Sequence, residues 1–258
     1  SLLRSRSTPL VVTQHQDLRS SRYRFLARAV LRRASAVVVP SRAHLALSQE
    51  LEGFENKTEV IPFGIDESRW AELPRRPLDA PPKALFIGRL VKFKGLDVLL
   101  RALERVPDLR LDIVGVGPEG PRLKTLTQAL ALADRVKFFG EYPDDDLPRR
   151  MAEADFLVLP SVTVDEMFGL VVLEAMAAGR PVITTAVPTG VREVNQPGET
   201  GLEVPVHDVR SLAEALDTLA RDPFKREKMG DAGRARVEKF FTRQLMAERH
   251  IALYERVI

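Results

Sequence analysis

Two positive side chains, Arg89 and Lys94, frame the run Gly88-Arg89-Leu90-Val91-Lys92-Phe93-Lys94-Gly95, which follows a short apolar stretch and leads into a helix-like one. A helix start collects unpaired N–H groups and the positive end of the helix dipole, so two cations beside one suit a diphosphate. The same charges read alternatively as scattered surface residues. A second run, PSVTVDEMFGLVVLEAMAAGRPVITT, places Glu166 in a loop and Glu174 eight residues later, inside the following helix. Carboxylates accept hydrogen bonds from the vicinal hydroxyls of a sugar or ribose. The amides near Phe168, Gly169 and Leu170, where that helix opens, can meet phosphate oxygens. Gly179 and Pro181 stop it. The plainer alternative is one loop acid and one helix-surface acid.

Other chemistries compete. Gly115-Val116-Gly117-Pro118-Glu119-Gly120 follows a strand-like run, with Glu141 downstream, in the manner of a dinucleotide fingerprint. An NAD-dependent oxidoreductase is therefore an alternative. Against it, the motif falls at the second strand of its domain, Pro118 interrupts the turn, and no hydride-transfer partner is visible. Asp144-Asp145-Asp146 resembles a metal cluster, but a helix start before LPRRM explains it better. Cysteine is absent, and no two of His15, His44, His207 and His250 stand at metal-ligand spacing. No metal site is expected.

The elements that must position these residues alternate. Strands read at 10–14, 36–39, 58–61, 84–87, 111–114, 136–139, 156–159, 181–185 and, more weakly, 202–204. Helices read at 22–34, 42–51, 96–106, 119–133, 146–153, 169–178, 208–221 and through 224–258. Such alternation implies βαβ units, an α/β fold with a doubly wound parallel sheet, and ligands at the carboxyl ends of its strands. Residues 62–83 are rich in proline and charge and without clear periodicity, a linker between domains. The segment before them holds about three strands, too few for a freestanding doubly wound domain, so the chain is expected to lack the beginning of its first domain.

The net charge of +3 hides an asymmetry: residues 1–49 carry nine arginines against a single acid, Asp17. A block this basic suits an anionic surface such as lipid headgroups or a phosphorylated substrate, or else is a solvated helix face. With few interleaved aromatics and no accompanying motif, nucleic acid is not expected. No apolar run reaches the ~18 residues of a membrane span, and no signal peptide is visible.

GRLVKFKG, EMFGLVVLE and PTGVREV, together with VVTQHQD near the start, resemble the retaining glycosyltransferases of the GT-B fold, family 4, of the bacterial polysaccharide and lipopolysaccharide type. The family's mark is a Glu-x7-Glu pair, here Glu166 and Glu174. The resemblance implies a partial acceptor-side domain at 1–64, a linker at 65–83, a nucleotide-sugar domain at 84–223, and C-terminal helices at 224–258 crossing back to the first domain. It implies that Arg89 and Lys94 hold the donor diphosphate, that Glu166 contacts the donor sugar, and that Glu174 binds the ribose. The amides of Phe168, Gly169 and Leu170 are implied to touch sugar and phosphate. His15 is implied to stand beside the reaction centre, with Gly88 and Glu193 as further donor-site residues. The implied reaction moves a hexosyl unit from a GDP- or UDP-sugar to an acceptor hydroxyl of a glycan or lipid-linked glycan, with retention and without a metal or other cofactor. The implied location is cytoplasmic, resting on the inner membrane. Many members carry Gly-Gly where this chain has Thr189-Gly190, and the glycine-rich loop of the first domain has no counterpart. A nucleotide-sugar-binding fragment without turnover is thus a further alternative.

Overall fold

A computed structural model describes residues 8–15, 21–71, 73–77 and 79–258. The chain forms two compact units, one of residues 1–64 with 241–258, the other of residues 65–240.

In the first unit, β1 (Val11–Thr13), α1 (Ser21–Arg33), β2 (Ala36–Val39), α2 (Arg42–Leu47) and β3 (Thr58–Val60) build a parallel sheet of order β1-β2-β3. The Ala-Val-Val-Val of β2 is buried throughout, and its alternation feeds two cores. Val37 and Val39 meet Leu31, Ala34 and Leu51. Ala36 and Val38 meet Ile61 and Leu253. Leu253 comes from the last helix of the chain.

The second unit runs α3 (Ser68–Ala71), β4 (Lys83–Ile87), α4 (Leu96–Leu103), β5 (Arg110–Val114), α5 (Gly120–Ala129), β6 (Val136–Gly140), α6 (Leu147–Ala152), β7 (Phe156–Leu159), α7 (Leu170–Ala177), β8 (Val182–Thr185), α8 (Val191–Val194), β9 (Gly201–Val204), α9 (Val209–Arg221) and α10 (Pro223–Phe240); α11 (Arg243–Val257) returns to the first unit. The strands are parallel, in the order β6-β5-β4-β7-β8-β9. The order reverses between β4 and β7, the switch point at which doubly wound sheets bind ligands. Helix faces follow from apolar spacing: Leu96, Leu99, Leu100 and Leu103 of α4 are all buried. The side chain of Asp208 accepts from the Arg210 and Ser211 N–H groups and starts α9.

Two boundaries differ from expectation. Residues 65–83 are not a free linker: Trp70 of α3 is 2% exposed, and Arg76 is ion-paired with Asp155. Nor do both C-terminal helices join the first unit, because α10 is seated on α7. Its glycines allow the approach: a Cβ on Gly230 would stand 2.1 Å from the Gly179 carbonyl oxygen, and one on Gly233 3.2 Å from Met176. Only α11 packs on the first sheet, with Arg256 paired to Glu59. The basic block is described only in part. Arg4, Arg6 and Arg19, and the side chain of Arg22, lie outside the described residues.

Candidate functional site

The loop leaving β4 and the loop leaving β7 touch at the switch point. Gly95, in the left-handed region at φ 65°, ends a short 3-10 turn at Lys92–Lys94. A Cβ there would lie 2.1 Å from the Pro160 carbonyl oxygen, and the Val162 N–H donates to the Phe93 carbonyl at 2.8 Å. This contact joins Lys94 to Glu166, with Nζ 2.5 Å from Oε2. The Ser161 hydroxyl donates to the same oxygen at 2.8 Å. The two side chains are only 13% and 9% exposed. Gly88 lies against them, since a Cβ on it would stand 3.6 Å from Lys94 Nζ. Arg89 is exposed and makes no ion pair among the described residues.

Immediately beyond, Gly169 at φ 76° opens α7 without a side-chain cap. Among the described residues, the N–H groups of Gly169 and Leu170 donate to nothing, so they are open to an anion. The Phe168 ring is buried and anchors this turn. The loop after β8 closes on it, with the Gly190 N–H donating to the Met167 carbonyl at 2.9 Å. Thr189 is buried there, its hydroxyl unpartnered among the described residues. Glu193, in α8, is half-buried, and its carbonyl accepts from Arg236.

Glu174 lies one turn into α7, half-buried. Burial pushes its carboxyl above the ordinary glutamate value; the nearby Asp144 pushes the same way, and Arg69 opposes. Arg69 and Asp144 are themselves paired at 2.8 Å. Sequence reasoning missed both: Arg69 lay in the supposed linker, where the lone tryptophan beside it was the signal of packing. Asp144 was read as part of a helix start. The aspartates form a 3-10 turn ahead of α6, and no side chain caps that helix. Because a raised carboxyl pKa means that ionisation opposes folding, the neutral form's advantage is present below the ordinary value and lost as pH rises through the raised one. Glu174→Gln is therefore expected to raise Tm at pH 7.5, with the gain vanishing near pH 4. Thermal melts at the two pH values check this.

The structure therefore gathers Gly88, Lys94 and Glu166 into one cluster and sets the open end of α7 next in the chain, with Glu174 further along that helix. His15 belongs to the first unit. It follows β1, is exposed, and its ring centroid is 5.2 Å from that of Phe63. Both line a hollow of about 610 Å³ with Val12, Ala27 and Val30. The neighbouring Gln14 amide donates to Oε1 of the buried Glu50 at 2.5 Å, a half-buried polar pair that the sequence did not reveal.

The dinucleotide fingerprint fails. A Cβ on Gly115 would lie 2.0 Å from the Gly88 carbonyl oxygen, and one on Gly117 2.3 Å from that of Leu90. The Leu90 carbonyl also accepts from the Glu119 N–H at 3.0 Å. These glycines admit the chain's own β4 loop rather than a pyrophosphate.

The family described as glycosyl transferases group 1 matches residues 69–236, and glycosyltransferase family 4 matches residues 1–69. D-rhamnosyltransferase WbpZ of Pseudomonas aeruginosa is 32% identical over 91% of this chain and 64% of its own length. O-antigen chain mannosyltransferase C of Escherichia coli is 30% identical over 95% of this chain and 68% of its own. The chain thus spans about two thirds of these relatives. Among solved structures, sucrose-phosphate synthase of Thermosynechococcus elongatus superposes with a TM-score of 0.82 at 29% identity, covering 95% of this chain and 67% of that one. HepE of Anabaena, solved with UDP and glucose, gives 0.82 at 25% identity over 96% and 71%. The chain belongs to the group 1 glycosyl transferases and has their GT-B fold.

Proposed function

We propose that this chain supplies the donor half of a transferase moving a hexosyl unit from a nucleotide-diphosphate sugar to a glycan or lipid-linked hydroxyl. The observation that carries the reading is the buried Lys94–Glu166 pair beside the uncapped start of α7, in a chain of this family. The diphosphate meets Lys94, Arg89 and the N–H groups of Gly169 and Leu170, and Glu166 faces the sugar hydroxyls. Glu174 accepts from the ribose hydroxyls, and Glu193 and His15 border the sugar and the reacting hydroxyl. The acceptor oxygen bonds the anomeric carbon while the bond from that carbon to the phosphate oxygen breaks. The hydroxyl proton passes to the departing phosphate on the same face, which retains configuration. Preorganised cations and amides stabilise the developing charge, so the reaction proceeds without a divalent metal.

A panel of GDP-, UDP- and ADP-sugars, read by calorimetry and then by product formation with and without EDTA, tests this. One nucleotide series is expected to bind, the product keeps its anomeric configuration, and EDTA has no effect. Binding without hydrolysis or transfer leaves the fragment reading; no binding by any of the three overturns the site. Support for a lipid-linked acceptor comes from the name of a relative in Mycolicibacterium smegmatis, a GDP-mannose-dependent phosphatidylinositol monomannoside mannosyltransferase, 35% identical over 81% of this chain and 60% of its own length.

Attachment to an anionic membrane surface on the cytoplasmic side belongs to the same proposal. No helix among the described residues is long and apolar enough to cross a membrane. But α1 exposes Phe25 and Leu26 at helical spacing from Arg32 and Arg33, an apolar and basic surface that suits an anionic interface. Sedimentation with phosphatidylglycerol vesicles at low salt is expected to capture the chain. Phe25→Ser with Leu26→Ser, or added salt, releases it.

A further inference from the structure

The second unit holds a cavity of about 280 Å³ lined by Arg75, Arg76, Arg180 and Arg226, with Asp155 and Glu227. Asp155 immediately precedes β7, and Pro181, also on the lining, immediately precedes β8. The cavity therefore opens at the amino ends of the strands, the opposite edge of the sheet from Lys94 and Glu166. We propose that it binds a small phosphate-bearing anion.

Both carboxylates on the lining are already matched. Asp155 pairs with Arg76 and accepts from the Lys83 N–H at 2.7 Å. Glu227 pairs with Arg75, which also reaches Asp231. That leaves the charges of Arg180 and Arg226 without a carboxylate, and these are the buried pair, 4% and 9% exposed. Each spends part of its donor set on the negative end of a helix. Arg180 Nε donates to the Met151 carbonyl at 3.2 Å, and Nη2 to those of Pro74 and Ala152. Arg226 Nη1 donates to the Leu219 and Ala220 carbonyls at 2.6 and 2.9 Å.

Each also has donors left over. Arg180 Nη1, and Nε and Nη2 of Arg226, donate to nothing among the described residues. A guanidinium carries five N–H donors in a fixed fork matched to oxyanions. These spare donors are not among the solvent-sealed polar atoms of the described residues, so they are accessible to an anion that enters the cavity, and hydrogen bonds to charged groups are among the stronger ones. The local field points the same way. Burial lowers the Arg180 pKa to about 10, Asp155 opposes, and Arg75, Arg234 and Arg76 add to the fall. An anion in the cavity relieves that crowding of like charge. Arg234 stands over the same corner, its Nη2 2.8 Å from where a Gly179 Cβ would be. The volume exceeds the ~30 Å³ share of one water several-fold, room for a phosphate group with a small organic substituent.

Calorimetry on the full chain tests the site, using inorganic phosphate, pyrophosphate and glycerol 3-phosphate at constant ionic strength. Lys94→Ala serves as the background because it weakens anion binding on the donor side, and the arginine variants then tell the two sides apart. One-to-one binding is expected there, weakened roughly tenfold or more by Arg226→Gln. Arg75→Gln, at the partly exposed rim, keeps the test open if Arg226→Gln does not fold. Tighter binding of glycerol 3-phosphate than of inorganic phosphate assigns the site to a phosphomonoester, and the reverse order to the free anion. Absence of saturable binding in Lys94→Ala, or binding that neither arginine variant alters, overturns the proposal. Either result is separable from the donor reading, which stands or falls on the nucleotide panel.

Discussion

Lys94→Ala is expected to lower turnover by about 10²–10³-fold, the usual loss when one preorganised donor to a developing charge is removed. Affinity for the nucleoside diphosphate should fall with it, and affinity for the nucleoside alone much less. Two effects are superposed, and they can be parted. Lys94 is the cationic partner of a nearly buried carboxylate, 2.5 Å from Glu166. Deleting it strands a charge whose remaining side-chain partner among the described residues is the Ser161 hydroxyl. Breaking a buried pair costs about 3–5 kcal/mol, and the residual exposure of both groups sets this one toward the lower end. Lys94→Ala with Glu166→Gln removes the stranded charge, so the double variant should regain most of the lost stability. It should not regain activity. Urea melts alongside initial rates decide the matter; a double variant that is both stable and active would show that the lysine only neutralises its neighbour.

The second large effect is on stability. Gly115→Ala should cost about 3 kcal/mol or more, because strain and overlap add. Gly115 sits at φ 133°, and its added Cβ would meet a backbone carbonyl oxygen at 2.0 Å, a contact that no side-chain rotation relieves. Gly140→Ala is the matched control. It too has a positive φ, 71°, but nothing lies within 4 Å of its Cβ, so the conformational penalty of roughly 1–2 kcal/mol stands alone. The difference between the two denaturation midpoints measures the loop contact. Gly115→Ala should also weaken donor binding, because the carbonyl it displaces belongs to Gly88, the residue beneath Lys94.

The strands were legible because their apolar runs are short, β-branched and bounded by breakers. Ala36–Val39 and Phe156–Leu159 fall where the pattern puts them. The clustering of Lys94 with Glu166 was legible only through the resemblance, since seventy-two positions separate them and periodicity carries no information on such contacts. What stayed hidden has a common physical cause, namely close approach of backbone to backbone. The spacing of Gly115 and Gly117 looks alike whether a pyrophosphate or a neighbouring loop fills the gap. The allegiance of α10 turned on Gly230 and Gly233, residues that weaken a helix by propensity and so gave no sign of joining one. Arg69 was hidden in a segment whose prolines suggested freedom, although four residues suffice for α3 to seat Trp70.

The return of α11 has a practical meaning for anyone dissecting the molecule. Severing the chain after Gly64 would strip Leu253 from Ala36, Val38 and Ile61, leaving a sheet with one naked side. The cut that keeps Leu253 on that sheet is a splice. Gly64 already abuts the Thr242 carbonyl, 2.2 Å from its virtual Cβ, so residue 64 can be joined to 241 through a very short bridge, and 65–240 excised as an intact insert.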